Sequence, residues 1–135
     1  MRKNPVLKEA TILVVDDQAS VRHLIAEFLR TDTRRVIAAE SGHRALSLVE
    51  TEEIDVVLLD VQMPGMDGLA TLKALRARGF TGRVVLLTAH HEKEFLDHCA
   101  ELGVHHTLVK PFDIFELKEV LHASLAEEPR KFCAC

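Results

Sequence analysis

Val56-Val57-Leu58-Leu59-Asp60-Val61-Gln62-Met63-Pro64-Gly65-Met66-Asp67-Gly68 is the stretch that decides the fold of this chain. Val56 to Leu59, entered from Asp55, form an apolar run with no polar alternation, the pattern of a strand buried on both faces. Asp60 closes the run, and a segment rich in turn residues follows. Leu69, Leu72 and Leu75 then recur at helical spacing, with Asp67 placed to cap that helix. The order is strand, acidic residue, tight loop, helix.

The same unit repeats outward in both directions. Ile12 to Val15, Arg35 to Ala38, Val84 to Leu87 and Thr107 to Val109 are further short apolar runs. Val21, Leu24, Ile25, Phe28 and Leu29 form one helical stripe after the first run. Ala45, Leu48 and Val49 follow the second, behind Ser41 as N-cap. Phe95, Cys99 and Leu102 follow the fourth, with Gly103 placed to end the helix. The last helix opens on Asp113 and Glu116 at capping-box spacing, with Phe112 and Leu117 as a hydrophobic staple, and continues through Val120, Leu121 and Leu125. Five strand–helix units predict a parallel sheet with helices on both faces.

Composition agrees. The 135 residues are 47% hydrophobic and 28% charged, enough apolar material for one ordinary core. No apolar run approaches the ~20 residues of a membrane span. No basic-then-apolar leader opens the chain, so a cytoplasmic location is expected. Three cysteines make no disulfide framework, and Cys133 and Cys135 are a weak thiol pair. A net charge of −4 gives no nucleic-acid footprint. His90-His91 and His105-His106 read as surface histidines, because no acidic or cysteine partner has ligand spacing with them.

In an open α/β sheet, ligands bind beyond the carboxyl ends of the strands. Asp16 and Asp17 follow the first run, Asp60 the third, Thr88 and Ala89 the fourth, and Lys110 and Pro111 the fifth. Taken singly, each has a structural reading, and Asp17 alone is best read as a helix cap. Together they place three carboxylates, a hydroxyl and an ammonium at one edge. Three crowded carboxylates repel, and at least one protonates unless a cation joins them; oxygen ligands with room for water suit Mg²⁺. A phosphoryl group matches both cations, and a carboxylate can itself be the nucleophile.

These residues carry a resemblance. Ile12-Leu13-Val14-Val15-Asp16-Asp17, the block Asp60 to Gly68, Leu87-Thr88-Ala89 and Lys110-Pro111-Phe112 stand in order, and the chain resembles a response-regulator receiver domain of bacterial two-component signalling. The resemblance implies a receiver over 10–126, with a tail at 1–9 and a tail or linker stub at 127–135. It implies a doubly wound, flavodoxin-like sheet in order 2-1-3-4-5.

Asp60 would be the phosphoacceptor, served by a histidine kinase or phosphotransfer protein. Asp17, Asp60 and the backbone carbonyl of Gln62 would hold Mg²⁺, with Asp16 in support. Lys110 would pair with the phosphoryl group, Thr88 would report its presence, and Lys110-Pro111 would be a cis peptide. Gln62 and His90 occupy the positions that tune phosphoryl lifetime. The fourth helix, fifth strand and fifth helix would form the output face and a homodimer contact, and an output domain could lie beyond residue 135. The chain would catalyse only its own phosphorylation and dephosphorylation.

One position departs from the pattern. Thr107 stands where the family usually carries Tyr or Phe, so the aromatic part of the switch is missing. That departure sustains an alternative reading, a pseudo-receiver used only for docking or dimerisation. A separate Mg²⁺-dependent enzyme on the same fold ranks last, because no Gly-rich phosphate loop is present.

Overall fold

The computed structural model describes residues 6–63, 65–89, 93–104 and 106–126, with backbone alone for 93–95. Its elements alternate as the apolar runs require: β1 (Thr11–Val15), α1 (Ala19–Leu29), β2 (Arg35–Ala39), α2 (Gly42–Thr51), β3 (Val56–Asp60), α3 (Gly68–Ala77), β4 (Arg83–Thr88), α4 (Lys93–Glu101), β5 (His106–Val109) and α5 (Ile114–Ala126). The five strands form one parallel sheet in order β2-β1-β3-β4-β5.

Alternation along each strand sorts the core into two layers. Ile12, Val14, Val56, Leu58, Val85, Leu87 and Leu108 pack against Ile25 and Leu29 of α1 and Leu117, Leu121 and Leu125 of α5. Leu13, Val15, Val57, Leu59, Val84 and Leu86 pack the opposite way, on Ala45, Leu48, Leu72 and Cys99 of α2, α3 and α4. Each central strand is apolar throughout because both of its faces are covered.

The caps lie where expected. Ser41 accepts from the Arg44 N–H at 3.1 Å, and Asp67 accepts from the Ala70 N–H at 2.8 Å. Asp113 and Glu116 exchange bonds of 2.8 and 3.3 Å. Gly103 ends α4 with φ +82, a conformation that favours glycine.

Several boundaries move. Asp60 and Thr88 are the last residues of β3 and β4 and lie within the ladder, because each strand is in register with a neighbour one residue further than its apolar run. Asp55 falls outside β3, where its carboxylate accepts the Thr11 N–H at 2.8 Å. Leu7, within the segment expected as a tail, is buried in a short 3₁₀ turn (Leu7–Glu9).

The α1 stripe divides. Ile25 and Leu29 enter the core, but Leu24 is 56% and Phe28 42% exposed. The two do not face the sheet; they line an apolar groove of about 480 Å³ with Val21, Phe112, Ile114 and Leu117, which α1 and α5 leave open between them. His90, His91, His105, Cys133, Cys135 and the Phe95 side chain lie outside the described residues. Among the described residues, no helix is long and apolar enough to cross a membrane.

Candidate functional site

The strand order reverses direction between β1 and β3, and the acidic residues lie at that switch. Asp16 follows β1 directly and is fully buried. Asp17 is exposed beside it. It does not cap α1: Gln18 holds the N-cap position, without a side-chain bond. The capping explanation for Asp17 is thereby removed, and its carboxylate is left at the site. Asp60 is 4% exposed at the end of β3. One oxygen from each of Asp16, Asp17 and Asp60 lies within 4.8 Å of the others.

Lys110 enters from the end of β5. Its Nζ lies 3.2 Å from Asp60 Oδ1 and 3.6 Å from Asp16 Oδ2. Its own N–H donates to the Thr88 carbonyl at 2.8 Å, tying the ends of β4 and β5 together, and the Lys110-Pro111 peptide is cis. Asp60 Oδ1 also accepts the Gln62 N–H at 3.3 Å. Above these groups is a pocket of about 160 Å³ lined by Asp17, Gln18, Asp60, Gln62, Thr88, Ala89 and Lys110. That is roughly five times the liquid volume of one water molecule.

Glycine permits the close packing behind Asp60. A Cβ on Gly68 would lie 2.5 Å from the Asp60 carbonyl oxygen and 2.6 Å from Val61 Cα, so α3 can start against the end of β3 only without a side chain there. The Gly68 N–H donates to the Val61 carbonyl at 2.9 Å. Gly65 takes φ +77 in the loop between.

The charge balance is compatible with a bound cation. Burial pushes the Asp16 carboxyl above the usual carboxylate range; the Gln18 N–H and Lys110 pull it down, and Asp60 and Asp17 push it further up. Asp16 Oδ2 is buried without a hydrogen-bond partner. A buried carboxylate oxygen without a hydrogen bond, 3.6 Å from a single ammonium and among three acids, fits a hard divalent ion with oxygen ligands.

The raised Asp16 value also has a thermodynamic sign. The folded protein holds this proton to higher pH than the unfolded chain does, so stability falls as pH rises from the ordinary carboxylate value through the folded one. Asp16→Asn is therefore expected to raise the metal-free Tm at pH 7 by about 3–6 °C, a gain that shrinks as pH falls towards 4. Melts in chelator at the two pH values check this, and no gain at pH 7 would refute it.

The sequence-derived residues Asp16, Asp17, Asp60, Gln62, Thr88 and Lys110 thus converge. Thr88 is buried at the pocket wall. Thr107 does not line the pocket. It is half-buried on β5, opposite Leu86 in register and on the other face from Leu108. His90 lies outside the described residues. Arg22, unmarked in the sequence reading, donates from Nη1 to the Asp16 carbonyl at 2.7 Å. Only its position six residues after Asp16 could have pointed to it.

Known proteins resemble this chain in sequence and fold. Residues 12–122 match the family model described as response regulator receiver domain. Sporulation initiation phosphotransferase F of Bacillus subtilis is 37% identical over 82% of this chain and 89% of its own length. Regulatory protein AtoC of Escherichia coli is 33% identical over 89% of this chain, which spans only 26% of that protein. Among solved structures, chemotaxis protein CheY4 of Vibrio cholerae superposes with a TM-score of 0.81 at 30% identity, covering 86% of this chain and 98% of its own. The chain belongs to the response regulator receiver domain family of two-component signalling.

Proposed function

We propose that Asp60 accepts a phosphoryl group from a phosphohistidine donor, a histidine kinase or phosphotransfer protein, in a Mg²⁺-dependent reaction. The observation that carries this reading is the Lys110 ammonium, 3.2 Å from an Asp60 carboxylate that shares its site with two further acids. A carboxylate oxygen of Asp60 attacks phosphorus. The donor's N–P bond breaks, and the departing imidazole keeps the electron pair and takes a proton from solvent. Lys110 turns from carboxylate to phosphoryl oxygen, and the Thr88 hydroxyl donates to a second one. Asp16, Asp17, Asp60 and the Gln62 carbonyl would hold Mg²⁺, which supplies charge neutralisation at the phosphoryl oxygens. Gln62 at the pocket rim bears on how water reaches the acyl phosphate.

The signal then passes from Thr88 to α4, without a ring at position 107. The phosphoryl group biases the site towards whichever arrangement of Thr88 binds it better. The face formed by α4, β5 and α5 carries the output, and homodimerisation there or an attached output domain would read it. The docking-only reading rests on Thr107 alone, and the acidic residues, Lys110 and Thr88 gathered at one pocket weigh against it.

The donor's seat is the groove between α1 and α5. Gln18 and Lys110 line both the groove and the acidic pocket, so a helical donor lying along Leu24 and Phe28 would present its phosphohistidine to Asp60. Replacing Leu24 and Phe28 together by serine is expected to slow transfer from the donor protein about ten-fold or more, and to leave phosphorylation by acetyl phosphate within about two-fold. Parallel rate measurements with the two donors check this.

The test of the whole reading is intact-mass analysis after acetyl phosphate treatment. A gain of one phosphoryl group that needs Mg²⁺ is expected. No adduct, together with no binding of beryllofluoride, would overturn it.

A further inference from the structure

Asp16 is restrained at three of its four polar groups. Its N–H donates to the Ala39 carbonyl at 3.2 Å, its Oδ1 accepts the Gln18 N–H at 2.9 Å, and its carbonyl accepts Arg22 Nη1 at 2.7 Å. Oδ2 alone is left to face Lys110 and the acidic cluster. Two of the three restraints come from backbone groups, which travel with the fold. The third comes from a side chain.

The reason for it lies in the register. Asp16 stands one residue beyond the last ladder pairs of β1, Val15 with Ala39 and Val15 with Leu59. The residue is fully buried, so its carbonyl needs a donor at a point where the ladder has ended. Arg22, one turn into α1, reaches back to provide it. Between the two lie Asp17, Gln18 and the first three residues of α1, so this bond spans the turn that carries Asp17.

We infer that Arg22 is a positioning residue for the cation site, fixing the turn between β1 and α1 so that Asp16 and Asp17 meet Asp60. This rests on the metal reading given above. Arg22 holds the backbone of the ligand turn and does not itself contact the ion. Partners of this kind set ligand geometry, and their loss typically costs about ten-fold or more in metal affinity.

The test is a Mg²⁺ titration of the whole chain, followed by amide NMR shifts because the chain has neither Trp nor Tyr as a fluorescent reporter. Arg22→Met is expected to weaken Mg²⁺ binding roughly ten-fold, with Arg22→Lys, which keeps a donor on a shorter head, in between. The second readout is phosphorylation by acetyl phosphate across Mg²⁺ concentration. The Mg²⁺ needed for half-maximal rate rises with the dissociation constant, while the rate at saturating Mg²⁺ stays within two-fold of the parent. A purely structural role would instead lower Tm and the maximal rate with no change in affinity. Mg²⁺ affinity within two-fold of the parent in Arg22→Met overturns the inference and leaves the metal reading intact. If that variant does not fold, Arg22→Lys carries the same criterion. Failure of the parent chain to bind Mg²⁺ overturns both.

Discussion

Asp60→Asn is expected to keep the chain folded while reducing its Mg²⁺-dependent phosphorylation by roughly 10³-fold or more. The substitution is nearly isosteric, so the end of β3 and its contact with Gly68 are undisturbed. What changes is chemical. An amide oxygen does not attack phosphorus at a useful rate, and one of the three charges of the cation cluster is gone. Removing that charge relieves the repulsion felt by Asp16, so the metal-free variant should melt at or above the parent temperature. A variant that is at least as stable yet takes up no phosphoryl group separates loss of the nucleophile from loss of structure. Intact mass after acetyl phosphate, read beside a thermal melt, gives both. An adduct of parental yield in Asp60→Asn would place the acceptor elsewhere.

The second large effect lies on the far side of the sheet from the groove. Arg76 is 4% exposed near the end of α3. Its Nε donates to the Leu102 carbonyl at 2.8 Å, and its Nη1 donates to the Phe80 and Gly82 carbonyls at 2.9 and 2.8 Å. One guanidinium thus joins the end of α3, the approach to β4 and the residue that follows α4. Burial pushes its pKa down to about 10, which still leaves it charged at neutral pH.

Arg76→Met would strand three carbonyls, each worth about 1–3 kcal/mol when left unsatisfied and partly recovered by water. The expected cost is about 3–5 kcal/mol, a large share of the roughly 5–15 kcal/mol that holds a domain together. The folded Arg76 loses its proton more readily than the unfolded one, so its contribution changes only as pH rises through about 10 and beyond. The loss should therefore be constant between pH 6 and 9. Denaturant unfolding checks this against Arg78→Met. Arg78 pairs with Glu50 on the surface, and its loss should cost under about 1 kcal/mol. Equal effects in the two variants would show that the buried bonds contribute little.

Arg76 and Arg78 also show what a sequence conceals. Both stand near the end of one helix, and nothing in their spacing tells the buried one from the exposed one. Leu24 and Phe28 show the converse. They share a helical stripe with Ile25 and Leu29, and the stripe alone assigns all four to the core. Which of them reach it depends on where α5 is seated beside α1, and Leu24 and Phe28 are left exposed in the groove.

The acidic site was legible for a different reason. In a parallel sheet every strand ends at the same edge, so carboxylates that follow two neighbouring strands, here β1 and β3, come together, whereas Glu40 after the edge strand β2 stays outside the cluster. Asp16, Asp17, Asp60, Thr88 and Lys110 were therefore readable from their positions after the runs. The caps at Ser41, Asp67 and Asp113 were readable because capping is local, decided within three residues. By itself the sequence determined the strand–helix alternation, the edge at which the charged groups gather and their chemical kind. The tertiary structure alone decided that Asp16 Oδ2 is left without a hydrogen bond, that Arg22 holds the ligand turn, that Arg76 is buried under the end of α4 and that a groove opens beside the pocket. Those features depend on distances between segments far apart in the chain, which local periodicity and spacing do not fix.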